Sequence, residues 1–536
     1  MDFDITQLPD DPVFLKRMLA DFHGQIIDLK KDFDRETGIL LDQIKLLRQQ
    51  QFGRSSEKTD NIPSNVHIKP LFDMPEPEKV PGEEQEEKIS VPAHTRKKAG
   101  RKPLPEDLPR VEVLHDISEE EKVCDCGCRM KRIGEEVSEQ LDIIPARIQV
   151  IRHVRPKYAC SKCEGEESSK PAVRIAPVES QILPKSMATS GLAAYILISK
   201  FVDHLPFYRQ EKQFARIGVD ISRSSMCSWS MKVAEQCRPI LNLLQDELLS
   251  GFYVNVDETT LQVLKEKGRS PTSKSYMWVF RRGDPDNPVL IYKYAETRSG
   301  DIAVEFLRGF EGYVQTDGYS GYIFLDSQKG VIHVGCWAHA RRKFTEVVKA
   351  QGKKSKKSGS AHIGLKYVRE LYKLEKEAKV KGLSPEEIYA MRQEKARPIL
   401  EDFKKWLEKR LPQTPPKGLL GQAIAYCLNH WNALMAYLKD GHLAMDNNAA
   451  ENAIRPFVVG RKNWLFSGTP EGAEASAMFY SLIETAKANG LEPYSYLRHI
   501  FEKLPFAKKL EDYEALLPWN LNAKELIAAV VNYGDH

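Results

Sequence analysis

The sequence predicts a multidomain α/β protein, and three observations carry that prediction. A heptad of apolar residues runs through the first fifty positions. Five cysteines fall in two tight clusters between residues 124 and 163, and a strand-rich block opens at Gly251 with helical segments on either side. At 536 residues the chain exceeds one ordinary domain. Hydrophobic residues make up 42% of it and aromatics 9%, enough to fill at least one sizeable core. The net charge is only +4, so where the charge sits matters more than its sum. The longest apolar runs, such as residues 193–199, stop far short of the roughly 20 residues that a membrane span needs. The opening MDFDITQLPDD does not read as a secretory signal. Nine cysteines without an export signal favour metal over disulfides. A cytoplasmic protein with no membrane partner is expected.

Within residues 10–50 the seam runs through Leu15, Leu19, Phe22, Ile26, Leu29, Phe33, Glu36, Leu40, Gln43 and Leu47, with eight of ten positions apolar and no proline among them. Such a seam predicts a coiled-coil helix that pairs with a second chain, making a homo-oligomer. Residues 51–110 lose the period and gain prolines, an acidic run (GEEQEEK) and then a basic one (RKKAGRKPLP). They read as a linker. Its basic part, Arg96, Lys97, Lys98, Arg101 and Lys102 around Gly100, resembles a hook for an A·T-rich minor groove; a solvated charge run is the plainer alternative.

Residues 111–175 hold the cysteines. CDCGC supplies Cys124, Cys126 and Cys128, and CSKC supplies Cys160 and Cys163. The intervening EQLDIIPARIQVIRHVRPKYAC reads as strands and a hairpin. Thiolate pairs brought together by a small sheet predict a tetrahedral structural Zn²⁺ site that uses four of the five cysteines. Residues 185–249 turn helical. Two apolar-periodic segments join around Gly218, with Ser222 or Ser224 placed to cap the second. Helix, glycine turn and helix match a helix-turn-helix layout, which reads double-stranded DNA through its second helix. A helical hairpin that binds nothing is the alternative.

From residue 250 the texture is β. GFYVNVDETTLQV, SYMWVFRR and PVLIYKYAE are strand-like, SGDIAVEFLRGF is helical, GYVQTDGYSGY returns to a strand, and VIHVGCWAHARRKF runs from a strand into a basic helix. That order is the order of an RNase H-like sheet, in which the first and fourth strands are neighbours. Asp257 near the end of the first strand and Asp317 at the end of the fourth would then meet at the centre of the sheet. Carboxylates so placed suit Mg²⁺ or Mn²⁺. A third would complete a site for two ions, which serve phosphodiester chemistry by activating the nucleophile and stabilising the leaving oxygen.

The best third candidate is Glu451 in AMDNNAAENAIRPFVVGRKNWLFSG, with Asp446, Glu471 and Glu474 as rivals. Glu258 competes with Asp257, although alternation along a strand sends the two to opposite faces. Arg455, Arg461, Lys462, Trp464 and Phe466 interleave cations with aromatics, as a DNA end would need. His339, Arg341 and Arg342 follow a strand end on the same side and are candidates for the scissile phosphate. The interval from Asp317 to Glu451 is too long for a bare fold of this kind. Residues 348–430 are therefore read as a charged helical insertion, opening with Lys353, Lys354, Lys356 and Lys357. Residues 250–347 and 431–490 form the catalytic domain around it, and 491–536 a helical tail.

The chain closely resembles the transposases of the sixty-six family of bacterial insertion sequences. The resemblance rests on QFGRSSEK, the CDCGC to CSKCE segment with VSEQLD and RHVRPKYAC, VNVDETTLQV, QTDGYSGY, GCWAHARRKF and DNNAAENAIRPFVVGRKNWLFSGTPEGAEASA. It covers nearly the whole chain. It implies a catalytic Asp-Asp-Glu triad at Asp257, Asp317 and Glu451 and a helical insertion before the glutamate. The expected function is a transposase that binds terminal inverted repeats, nicks DNA to a free 3′-hydroxyl and transfers that strand into target DNA. Accessory proteins of the same element are candidate partners.

Overall fold

The computed structural model describes residues 11–52, 148–159, 173–283, 286–351 and 359–532. The five candidate zinc cysteines, the basic cluster from Arg96 to Lys102 and Lys353, Lys354, Lys356 and Lys357 lie outside them. The described residues fall into two units, one of residues 148–177 and the other of residues 11–52 with 178–532.

The larger unit begins with α1 (Pro12–Phe52), a single 41-residue helix. Its seam residues Leu19, Phe22, Ile26, Leu29, Phe33, Leu40 and Leu47 are all exposed. Toward its C-terminal end the helix is tied to the body of the same unit, where Gln43 Nε2 donates to the Lys417 carbonyl at 3.4 Å. In the smaller unit β1 (Lys157–Ala159) pairs antiparallel with β2 (Val173–Ile175), and Arg155 Nη1 donates to the Ala176 carbonyl at 3.0 Å. The ladder therefore brackets the second cysteine pair. Residues 148–156, expected to carry strands between the clusters, have no regular structure.

Four helices follow, α2 (Ser190–Phe201), α3 (Phe207–Arg216), α4 (Arg223–Gln236) and α5 (Arg238–Ser250). Gly218 makes the α3–α4 turn at φ +80°, a left-handed conformation that favours a residue without Cβ. Ser222, not Ser224, caps α4, its Oγ accepting from the Ser225 amide at 3.1 Å. Ile196, Phe207, Phe214, Ile221 and Met226 form a small core that holds α2, α3 and α4 together.

The sheet comprises β3 (Tyr253–Gln262), β4 (Lys274–Arg282) and β5 (Leu290–Ala295), then α6 (Asp301–Phe306), β6 (Gly312–Gln315) and β7 (Val331–Val334). Its order is β5-β4-β3-β6-β7. The β3–β4 and β4–β5 pairs are antiparallel, and β6 and β7 join parallel to β3. A seven-residue 3₁₀ segment, Ser320–Asp326, connects β6 to β7.

Seven helices separate β7 from the last carboxylate-bearing segment and complete it. They are α7 (Trp337–Gln351), α8 (Ser360–Lys381), α9 (Pro385–Met391), α10 (Arg397–Arg410), α11 (Leu419–Asn429), α12 (Trp431–Met435) and α13 (Asn448–Trp464). α7, α8, α10, α11 and α12 enclose a second core around Trp337, Phe344, Phe403, Leu400 and Leu434, which Tyr253 of β3 and Val334 of β7 join. The chain closes with α14 (Pro470–Ala488), α15 (Pro493–Lys503), α16 (Leu510–Glu514) and α17 (Ala523–Asn532). β5 is an edge strand, and α14 covers it. Thr485 Oγ1 accepts from the Leu290 amide at 3.0 Å and Ser481 Oγ from the Tyr292 amide at 2.8 Å, so side-chain hydroxyls stand in for a missing strand and block edge pairing.

Candidate active site

The register of the sheet sets the site. β3 and β6 run parallel with Asn255 opposite Gln315, and the pairing stops there. Two residues further along each strand come Asp257 and Asp317, so both emerge from the same end of adjacent strands and on the same face. The same alternation puts Tyr253, Asn255 and Gln315 behind them. Asn255 Nδ2 donates to Gln315 Oε1 at 2.9 Å, and Gln315 Nε2 donates to the Ala444 carbonyl at 2.9 Å. Asn447 Nδ2 donates to the Val256 carbonyl at 2.8 Å. These buried amides tie the segment entering α13 to both strands. Asn447 is the N-cap of α13, and its carbonyl accepts from the Glu451 amide at 3.1 Å. The third carboxylate is thus fixed one turn beyond a pinned residue.

The three carboxylates feel one another's charge. Burial pushes the Asp257 carboxyl up to about 8, and the charges of Glu258, Asp317 and Glu451 push it the same way. The Glu258 amide, donating to Asp257 Oδ1 at 2.9 Å, pulls back. Glu258 itself projects from the other face of β3. Its side chain is 1% exposed, pairs with Arg298 and accepts from the Tyr322 hydroxyl. Burial pushes it up as well. Arg298 lies 3.9 Å from Asp317 Oδ2 and stacks at 3.5 Å over the ring of Tyr319, whose amide donates to Asp317 Oδ1 at 2.9 Å. Gly318 allows this turn: a Cβ there would collide with the ring of Tyr426.

On the Glu451 side, His339 Nδ1 and Arg342 Nη2 each stand 3.9 Å from its carboxylate. His339 Nε2 and Arg342 Nη1 are 3.2 Å apart. Burial and the Arg342 cation hold His339 below the ordinary imidazole range. The Nδ1 of His339 and the Oε1 of Glu451 are both buried with no hydrogen-bond partner. One ligand atom from each of Cys336, His339 and Glu451 lies within 4.8 Å of the other two, an arrangement that could hold a metal ion. Cys336 is the weakest of the three. Burial pushes its thiol up to about 12, and its sulfur accepts from the Asn447 amide at 3.2 Å, whereas the ligand form is the thiolate.

The other candidates divide. Arg341 faces away from Glu451 and stacks at 4.8 Å over Tyr372 of α8. Tyr372 in turn donates to Asp446 Oδ2 at 3.0 Å, which engages that rival carboxylate. Glu471 and Glu474 are exposed at the start of α14. Arg455 and Lys462 are exposed on α13, and Arg461 Nη1 donates to Thr260 Oγ1 of β3 at 3.0 Å. Trp464 is half-buried, packing against Phe201 at 6.2 Å and Tyr480 at 6.3 Å. Trp431 is in a core, and Trp229 packs against two. Sequence reasoning missed Arg298, Glu258 as its partner, and the amides of Asn255, Gln315 and Asn447. For Asn255 and Gln315 the signal is a polar residue two places before each aspartate.

Residues 185–475 match the family model described as "Transposase IS66 family". Residues 121–164 match "zinc-finger binding domain of transposase IS66", 481–519 match "IS66 C-terminal element", and 39–113 match "Transposase C of IS166 homeodomain". Three proteins of Sinorhizobium fredii (strain NBRC 101917 / NGR234) are similar along most of their length. "Uncharacterized protein y4jD" is 33% identical over 535 residues, which cover 97% of this chain and 98% of the relative. "Uncharacterized protein y4qI" is 31% identical over 97% of this chain and 99% of its own. "Uncharacterized protein y4hP" is 30% identical over 89% and 87%. Among the described residues no helix is long and apolar enough to cross a membrane.

Proposed function

The chain belongs to the IS66 family of transposases, and from that premise we propose that it binds the terminal inverted repeats of an insertion sequence, cuts DNA there and joins the free 3′ ends to target DNA, with Asp257, Asp317 and Glu451 as the catalytic residues. The observation that carries this reading is the open carboxylate cluster at the end of two adjacent parallel strands. A sheet of three antiparallel strands extended by two parallel ones supports an RNase H-like catalytic domain with the helices between β7 and α13 inserted into it. The residues fit a divalent cation: the charges of Asp317 and Glu451 act on Asp257, and the buried Oε1 of Glu451 and Nδ1 of His339 lack hydrogen-bond partners.

Mg²⁺ or Mn²⁺ would be held by Asp257, Asp317 and Glu451, with His339 adjacent. When bound, such ions lower the pKa of water or a 3′-hydroxyl and stabilise the leaving oxygen. The chain's own residues orient the reactants. Arg298 offsets the charge of Asp317 and keeps its carboxylate in place, and Arg342 presents a cation beside Glu451 for a phosphate oxygen. In the first reaction a water oxygen bonds to phosphorus and the DNA 3′-oxygen leaves as a hydroxyl. In the second, that hydroxyl attacks a target phosphodiester in line and a target 3′-hydroxyl leaves. One phosphodiester replaces another, so no energy-rich cofactor is consumed. The zinc-finger match supports Zn²⁺ binding, and we assign it to four of Cys124, Cys126, Cys128, Cys160 and Cys163. The exposed seam of α1 suits a second copy of the chain, which would hold two DNA ends together.

Purified protein, labelled duplex ending in the element's inverted repeat and supercoiled plasmid form the test, with Mg²⁺ or Mn²⁺ present. Joined product that is absent with Asp317→Asn and with chelator supports the proposal. Cleavage without joining would instead make the protein a nuclease. Tight binding to the ends with no cleavage under any metal would leave a DNA-binding protein without catalysis.

A further inference from the structure

Where α13 ends, the chain makes a turn that is strained, fixed at both ends and apolar at its tip. Leu465 adopts φ +67° and ψ −45°, and the Phe466 amide donates to the Trp464 carbonyl at 2.8 Å. This is a γ-turn of the positive-φ hand, rare and strained for a residue with a Cβ. It cannot relax easily. The Leu465 amide donates to the Arg461 carbonyl at 2.7 Å, the Ser467 amide to the Gln262 carbonyl at 2.9 Å, and the Leu264 amide to the Ser467 carbonyl at 3.0 Å. The turn is thereby fastened to α13 on one side and to the end of β3 on the other, while Trp464 behind it is anchored on Phe201 and Tyr480.

Glycine or asparagine would serve the backbone here at lower strain. The chain instead carries leucine, 68% exposed, followed by phenylalanine, 44% exposed. A turn that only returned the chain to β3 would need neither side chain in solvent. Cations stand beside them: Arg461 is held on Thr260 of β3, and Lys462 is exposed. Apolar tips framed by cations suit a DNA base step, because the cations take the phosphates and the apolar side chains replace a stacked neighbour.

We propose that Leu465 and Phe466 form a wedge that enters a base step of the duplex bound at the carboxylates and unstacks it. The inference rests on the DNA-transposase reading above. Its position follows from two rulers. Five residues of β3 separate Asp257 from Gln262, about 17 Å at the rise of a strand. Thirteen residues of α13 separate Glu451 from Trp464, about 20 Å at the rise of a helix. At ~3.4 Å per base pair, the unstacked step lies roughly five to six base pairs from the phosphodiester at the carboxylates.

The test uses full-length protein, an inverted-repeat duplex with 2-aminopurine scanned across the positions flanking the cleavage point, and Ca²⁺ in place of Mg²⁺ so that complexes assemble without being cut. Saturating wild-type protein should raise the fluorescence several-fold at one step in that window. Leu465→Ser combined with Phe466→Ser should abolish the rise at saturation while weakening duplex binding by no more than roughly tenfold, and Phe466→Trp should retain it. Leu465→Gly, which relieves the backbone, should lower the signal without loss of fold and so guards against a misfolded double variant. An equal rise in the serine variant, or no rise at any position in a wild-type complex that binds and, with Mg²⁺, cuts, would overturn the wedge alone. Failure of the wild type to bind the duplex at all would overturn the transposase reading and the wedge with it.

Discussion

Two polar clusters carry charge into the interior of this protein, and they are built in opposite ways. Arg392 lies in a π turn between α9 and α10 and is 2% exposed. All five of its N–H donors are used. Nε and Nη2 donate to Glu375 at 2.9 and 2.7 Å, Nη1 to the carbonyls of Tyr437 and Asp440 at 2.8 and 2.7 Å, and Nη2 again to the Leu443 carbonyl at 2.9 Å. The carboxylate cluster is the reverse. Acceptors face acceptors, Asp257 is pushed up to about 8, and buried atoms of His339 and Glu451 have no hydrogen-bond partner. A polar cluster that satisfies itself stabilises the fold; one that does not is stabilised by what it binds. The contrast separates a cluster closed on itself from one left open to a ligand.

The largest effect should come from breaking the open cluster. Asp257→Asn is expected to lower strand transfer by at least roughly a thousandfold while leaving the protein folded and slightly more stable without metal, because one of several mutually repelling carboxylates is gone. Thermal unfolding should add a second contrast. Mg²⁺ or Mn²⁺ at a hundred times its dissociation constant stabilises a site by about 2.7 kcal/mol, so the ion should raise the Tm of the wild type and barely move that of the variant. A variant that unfolded early, with metal absent, would mean that the cluster is structural after all.

The closed cluster should behave oppositely. Arg392→Ala should destabilise the protein by about 3–5 kcal/mol, because Glu375 and three carbonyls lose their donor together. Replacing the pair by Arg392→Met with Glu375→Leu should recover less than half of that, since the carbonyls remain unpaired. Urea unfolding measures both, and full recovery in the double variant would show that the carbonyl bonds contribute little. Neither change touches the carboxylates, so any loss of strand transfer should track the fraction unfolded.

These clusters were not equally legible in the sequence. Asp257 and Asp317 could be read because strand runs and turn signals are local. Which arginine would face Glu451 was legible in principle: His339 and Arg342 are three apart on one helix and share a face, while Arg341 is turned away. The pairing of Glu258 with Arg298, and of Arg392 with Glu375 and three carbonyls, joins segments far apart in the chain and leaves no periodic trace. Trp464 shows how distant partners enter. Its place among cations reads as a DNA contact, while Phe201 and Tyr480, on α2 and α14, against which it is half-buried, leave no local trace. The γ-turn at Leu465 gave no warning, because the residue there is not one that favours the conformation.

The smallest predicted effect concerns a third kind of charge, half-buried and neither closed by carbonyls nor open to a ligand. Lys200 has its ammonium over the rings of Phe207 at 4.0 Å, Phe201 at 5.1 Å and Trp464 at 5.9 Å, and among the described residues no carboxylate pairs with it. Burial lowers it to about 8 from 10.5. Below pH 8 both folded and unfolded chains carry the proton, so the full cost of burying the charge is present. Between pH 8 and 10.5 the unfolded chain binds more protons than the folded one, and this group's contribution to stability rises with pH. The whole protein will not show that rise cleanly. Burial pushes the thiols of Cys237, Cys336 and Cys427 up to about 12 from 9.0, so their ionisation in the unfolded chain costs stability above pH 9. The difference between wild type and Lys200→Met removes that background. The variant should be more stable by about 1–2 kcal/mol at pH 7, after the aromatic faces have offset part of the desolvation, and the gap should close as pH approaches 10.5. A gap that stayed constant from pH 7 to 10.5 would mean that the rings fully compensate the buried charge, and that burial alone does not mark a polar group as costly.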